Sequence, residues 1–187
     1  MNAAGLWQGQ ADPALSGRGR GQARKLAGAL GGEDLSALVA SDLARARETA
    51  AILGQQLGLK ASTHVGLREM DVGAWTGLPH AEIGRRWPED LARFRAGDQD
   101  VRPGGGETRR ELRLRVREAL REVCADWPES RVAVVTHMGA LRSLVPGLEL
   151  DNAGTFWLNP TNLSAVAQPG PASSAESAAP PEGRTLL

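Results

Sequence analysis

The sequence predicts an α/β fold built on a mostly parallel sheet, and three observations carry that prediction. Short apolar runs alternate with amphipathic helical stretches, the pattern of βαβ units. One run, "VAVV" at residues 132–135, is apolar at every position, as a strand buried on both faces must be. The length, 187 residues, suits one core rather than two. In open sheets of this kind ligands gather beyond the carboxyl ends of the strands, so chemistry is sought there.

Each element follows from local signals. Ser16 is placed to cap a helix over residues 17–30, with Ala23, Leu26, Ala27 and Leu30 on one face and Gly31 and Gly32 ending it. "LSALVAS" at 35–41 reads as a buried strand. Ser41 or Asp42 then caps a second helix, whose inward stripe is Ala46, Thr49, Ala50, Leu53 and Leu57 and which Gly58 stops. "KASTHV" reads as another strand. Residues 67–106 are irregular and rich in Gly, Trp and Pro, with short helices near 81–87 and 88–96. So long a connection is usually functional. Thr108 and Glu111 form a capping box for a helix carrying Leu112, Val116, Leu120, Val123 and Trp127 inward. The strand at 132–135 follows, then a short helix over 139–144. "GTFWL" and "NLSAVA" are further strand candidates, and "RTLL" is either a last edge strand or simply the end. Between 169 and 183 the composition collapses to Ala, Pro, Ser and Glu, too little apolar area to order itself.

Composition narrows the function classes. Basic and acidic residues balance at 22 each, so no overall field recruits nucleic acid or anionic lipid. "SGRGRGQARK" offers a basic arm, but no aromatic residue interleaves it and the helix stripe accounts for it, so no nucleic-acid partner is expected. No apolar run approaches the ~18 residues of a membrane span, and no signal pattern opens the chain. Cys124 is the only cysteine. It reads as a packed helical residue in a reducing compartment, and the cytoplasm is the expected location.

Three strand ends carry reactive side chains. His137 ends the most buried run and precedes a helix; it is either a core histidine or a reactive one. Arg45 lies one turn into the helix after the 35–41 strand, near amides that favour anions. The bland alternative is a solvated helix face, with Arg45 and Arg47 pairing to Glu48 or Asp42. Glu69 lies just past the third strand, with Asp71 as the rival carboxylate. An arginine fork with an imidazole suits a tetrahedral anion, and a carboxylate beside them suits proton donation to a leaving oxygen. His64 and His80 read as structural or surface residues. No pair of histidines has metal-ligand spacing, so no metal is expected.

Taken in order, "QGQADPALSGRGRGQARKLA", "SDLARARETA", "LREMDVGAWTG", "PGGGET" and "VAVVTHMGALR" resemble the histidine phosphatase (phosphoglycerate mutase-like) superfamily from Asn2 to about Arg142, and more loosely to Gln168. The resemblance implies a three-layer sandwich over residues 1–168 with a disordered tail over 169–187. It implies phosphate-binding roles for Arg45, His137 and Asn2, a proton-donor role for Glu69, and pocket positions for Gln8, Gly9 and Met138. It also implies transfer or hydrolysis of phosphate through a phosphohistidine, without a metal or other cofactor. In the family's pattern the nucleophile belongs to an "RHG" block about six residues before the asparagine. That block and its strand would precede Met1, so the sheet is expected to lack its first strand and the 187 residues to be inactive or impaired and poorly stable. The expected substrate is a small phosphorylated metabolite such as a sugar phosphate, a phosphoglycerate derivative or an α-ribazole phosphate-like nucleotide. Trp75, Trp87 and Phe94 are expected to wall its pocket. Phosphatase is favoured over phosphoglycerate mutase-type phosphotransferase because the chain lacks added segments. A non-catalytic phosphate-binding or interaction module is the other alternative.

Overall fold

The computed structural model describes residues 5–159, together with the backbone of residues 168–169 and 185–186. Asn2, "NLSAVA" and most of the Ala/Pro/Ser-rich tail lie outside the described residues. The helices are α1 (Gly17–Ala29), α2 (Ala44–Leu57), α3 (His80–Arg86), α4 (Pro88–Arg95), α5 (Arg109–Asp126) and α6 (Met138–Leu144). The strands are β1 (Ala37–Ala40), β2 (Ala61–Thr63), β3 (Val132–Val135), β4 (Phe156–Leu158), β5 (Gln168–Pro169) and β6 (Thr185–Leu186).

The strands form one sheet in the order β2-β1-β3-β6-β4-β5. β2, β1, β3 and β6 run parallel, while β4 pairs antiparallel with β6 and β5. "RTLL" is therefore no edge strand: Thr185 and Leu186 pair with β3 on one side and β4 on the other.

Successive strand residues point to opposite faces, and the two cores sort accordingly. Val39, Val132 and Val134 enter a core closed by Leu112, Val116 and Leu120 of α5 and Leu141 and Leu144 of α6. Leu38, Ala40 and Ala133 enter a second core closed by Leu26, Ala27 and Leu30 near α1 and by Ala50 and Leu53 of α2. This is the three-layer arrangement, and it is why β1 and β3 carry no polar residue. Each fully buried Leu contributes about 1.5–3 kcal/mol.

Helix ends follow the sequence signals with two exceptions. Ser16 accepts from the Gly19 amide, and Thr108 and Glu111 form the reciprocal capping box of α5. Gly58, at φ +69°, closes α2 in the left-handed conformation that glycine adopts freely. The N-cap of α2 is Leu43, not Ser41 or Asp42, and the Ala44 amide is satisfied instead by Asp12. Trp127 does not join the inward stripe of α5; it is among the exposed large apolar residues, lying beyond the helix at an extended φ.

Candidate active site

β1 and β3 are neighbours in register, with Ala40 opposite Val135. That register places Ser41 beside Thr136 and brings the residues that follow both strands to one edge. Thr136 Oγ1 donates to the Leu67 carbonyl (2.8 Å), tying the segment that carries Glu69 to the same edge. A cleft of about 750 Å³ opens there, and Arg45, Glu69 and His137 all line it. Gln8 and Met138 line it as well.

His137 is buried and its Nε2 lies 2.8 Å from Ser41 Oγ. Burial, then the charges of Arg45 and Arg115, push the imidazole down to about 3, with Asp42 opposing. The ring is therefore neutral near pH 7. Ser41 is completely buried and its Oγ also accepts from the Leu43 amide. The sequence offered Ser41 only as a cap; its place at the carboxyl end of the 35–41 strand was the available signal.

Arg45 enters the cleft from the first turn of α2. Its Nη1 donates to the Ala11 carbonyl (2.7 Å) and its Nη2 to the Gly9 carbonyl (3.1 Å). Two of the five N–H groups are thus used to orient the fork. Desolvation pulls the guanidinium below its ordinary value, against the charges of Glu69 and Asp12, and an arginine keeps its proton regardless. The alternative in which Arg45 and Arg47 pair to Asp42 or Glu48 does not hold. Asp42 pairs with Arg68 and Glu48 with Arg20, while Arg47 donates to the Asp42 carbonyl.

Gly9 does not line the cleft. It is buried behind Arg45 at φ +49°, and a Cβ there would meet Val72 Cγ2 at 2.6 Å. Its part is to present a carbonyl to Arg45, so the expected rim position becomes a supporting one.

Glu69 is held by two amides: Oε1 accepts from Met70 N (2.7 Å) and Oε2 from Gly139 N (3.1 Å). Position 139 must be glycine for this approach, because a Cβ would stand 2.2 Å from Oε1. Asp71, the rival, is exposed, accepts from the Gly73 amide and takes no place in the cleft.

Trp75, Trp87 and Phe94 do not wall the pocket. Trp75 is fully buried, and Trp87 and Phe94 pack against the core behind it. Trp7 meets Trp75 and Phe94 edge-on at 5.3 Å in each case, the geometry aromatic quadrupoles favour. The far wall of the cleft comes instead from α1, with Arg18 and Gln22, and from the turn at residues 151–155. The other histidines serve structure: His64 pairs with Glu122 (2.7 Å), and His80 Nδ1 accepts from Trp7 Nε1 (3.1 Å). Among the described residues no group of acidic, His or Cys side chains could hold a metal ion.

Known proteins share this arrangement of sequence and fold. Over residues 1–171 the chain matches the histidine phosphatase superfamily (branch 1). It is 36% identical over 155 residues to the glucosyl-3-phosphoglycerate phosphatase of Mycobacterium tuberculosis, covering 79% of this chain and 69% of that one. It is 32% identical over 156 residues to phosphoserine phosphatase 1 of Hydrogenobacter thermophilus, covering 83% and 74%. The native structure of the mycobacterial glucosyl-3-phosphoglycerate phosphatase superposes with a TM-score of 0.72 over 82% of this chain and 76% of that chain, and it has also been solved with VO3 and with inorganic phosphate. By sequence and by fold, the chain belongs to the histidine phosphatase superfamily.

Proposed function

We propose that this cleft hydrolyses a small phosphomonoester. The observation that carries the reading is the convergence of Arg45, Glu69 and His137 on one cleft at the sheet's carboxyl edge. Arg45 supplies a bidentate cation for phosphate oxygens. His137, neutral when the cleft is empty, gains a proton as a dianion arrives and then adds a second positive donor. Glu69 stands ready to protonate the leaving oxygen.

The chemistry is that of a phosphohistidine. A histidine nitrogen attacks phosphorus, the P–O ester bond breaks, and the leaving oxygen takes the Glu69 proton. Water then attacks phosphorus, the P–N bond breaks, and the Glu69 carboxylate recovers a proton from that water. Splitting the reaction this way needs a nucleophile distinct from His137, because His137 is committed to binding phosphate. The resemblance gives that role to the histidine of an RHG block, which these 187 residues do not contain, and gives Asn2 a phosphate-binding role. The 187 residues alone then bind phosphate and turn esters over slowly or not at all. What favours this second, non-catalytic behaviour for the bare chain is that, among the described residues, His137 is the one histidine lining the cleft. Hydrolysis is favoured over mutase chemistry because glucosyl-3-phosphoglycerate phosphatase and phosphoserine phosphatase are among the relatives. A reducing compartment, the cytoplasm, suits the single cysteine.

The test is phosphate release from p-nitrophenyl phosphate, phosphoserine and 3-phosphoglycerate, with ³¹P spectra of the last to detect 2-phosphoglycerate. It is run on the 187-residue protein and on a form extended by an RHG-bearing strand. Release by the extended form alone, lost on Arg45→Met, is expected. Isomerisation without net release would replace hydrolase by mutase. Full activity of the 187-residue protein would show the nucleophile to lie within it.

A further inference from the structure

Arg115 sits on α5 and takes no place in the cleft lining. Leu112 and Ala119, three residues before it and four after, are buried, which puts Arg115 on the flank of the inward stripe, and its side chain is only 26% exposed. The guanidinium makes five hydrogen bonds. Nη1 donates to the Gly66 carbonyl (2.9 Å) and the Arg68 carbonyl (3.0 Å), and Nη2 donates to the Glu69 carbonyl (3.3 Å). Nε and Nη2 donate to the two carboxylate oxygens of Glu107, at 3.2 and 2.5 Å.

Glu107 closes the loop from the other side. Its Oε1 accepts from the Asp71 amide (2.8 Å), and its own amide donates to the Asp71 carbonyl (3.0 Å). The backbone from 66 to 71 is thereby gripped at both ends by one ion pair. Glu69 lies inside the grip. Its carboxylate can reach the Met70 and Gly139 amides only while that backbone keeps its bend. The planar five-donor fork of arginine can span three carbonyls and a carboxylate, which a single ammonium cannot.

We propose that Arg115, paired with Glu107, is the positioning residue for Glu69: it fixes the carboxylate against Gly139 in the place from which a proton reaches the leaving oxygen. The proton-transfer half of this statement rests on the phosphatase reading above; the positional half does not.

The two halves are tested separately with Arg115→Met, Arg115→Lys and Glu107→Gln. Amide hydrogen exchange reads position directly, without turnover. In Arg115→Met the Met70 and Gly139 amides are expected to lose protection by about tenfold or more while β1 and β3 amides keep theirs. Arg115→Lys is expected to restore little of it. Should Arg115→Met fail to fold, Glu107→Gln, which keeps the side-chain shape, is expected to show the same local loss in smaller degree. Unchanged protection at Met70 and Gly139 in a folded variant would overturn the proposal.

Turnover by the RHG-extended protein reads the proton. A leaving alkoxide needs an acid and p-nitrophenolate does not, so kcat on phosphoserine should fall by about 100-fold and on p-nitrophenyl phosphate by about threefold or less, with KM little moved. Equal losses on both esters would make Arg115 a general structural residue. If the unmutated protein releases phosphate from neither ester, the phosphatase reading fails, and exchange alone still decides the position of Glu69.

Discussion

His137 shows how far burial can move one side chain from its ordinary chemistry. Its folded value of about 3 lies below the unfolded value near 6.5, so below 6.5 the unfolded chain binds the extra proton. The stabilisation is full above pH 6.5 and drains away as the pH falls toward 3, by up to about 1.4 kcal/mol per pH unit. Urea titrations from pH 7 to pH 4 are expected to show that slope, and His137→Asn to flatten it. Inorganic phosphate should raise the imidazole midpoint, visible as a ring-proton resonance that begins to titrate near neutrality. Gly139 gives a second prediction at this scale. In Gly139→Ala the methyl group would occupy the place of a Glu69 oxygen, so the carboxylate must swing away. Activity of the extended protein on alkyl esters is expected to drop by about 100-fold or more. The urea midpoint should barely move, since alanine suits a helix better than glycine. An alkyl-ester rate within threefold of the unmutated protein would contradict that assignment.

Among elements, α5 is set most firmly by its own sequence. Thr108 is buried and exchanges two hydrogen bonds with Glu111. Thr108→Ala is expected to cost about 1 kcal/mol in urea unfolding. Capping and periodicity are local properties, which is why α1, α2, α5, β1 and β3 were legible within a residue or two. The edge that gathers Arg45, Glu69 and His137 was legible too, because strand ends of a parallel sheet share one side. Contacts made across the fold were not. Nothing near Ser41 in the sequence announces His137, and nothing near Arg115 announces the carbonyls of Gly66, Arg68 and Glu69. The tryptophans of residues 67–106 carry no period, so sequence could not separate core from pocket wall, and the structure puts Trp75 in the core and packs Trp87 against it.

For the molecule as a whole, β6 is the piece no local signal could place. Two residues joining β3 to β4 depend on partners 27 and 53 positions away, Leu158 and Val132 for Thr185. Among the described strands it is the only link between the parallel group and β4. Deleting residues 184–187 is therefore expected to release Trp157 and Leu158 amides to fast exchange while β1 stays protected. Equal loss in β1 would mean the sheet melts as one unit. The loop at residues 5–11 has a wider consequence. It rests on the 70–79 connection through Trp7 and Leu78, Gly77 and Trp7, and Gly9 against Val72, and from that seat it aims Arg45. Residues 70–79, none of which lines the cleft, are thus the foundation of its anion grip. Transplanting residues 70–79 from a relative would require moving residues 5–11 with them, as one cassette.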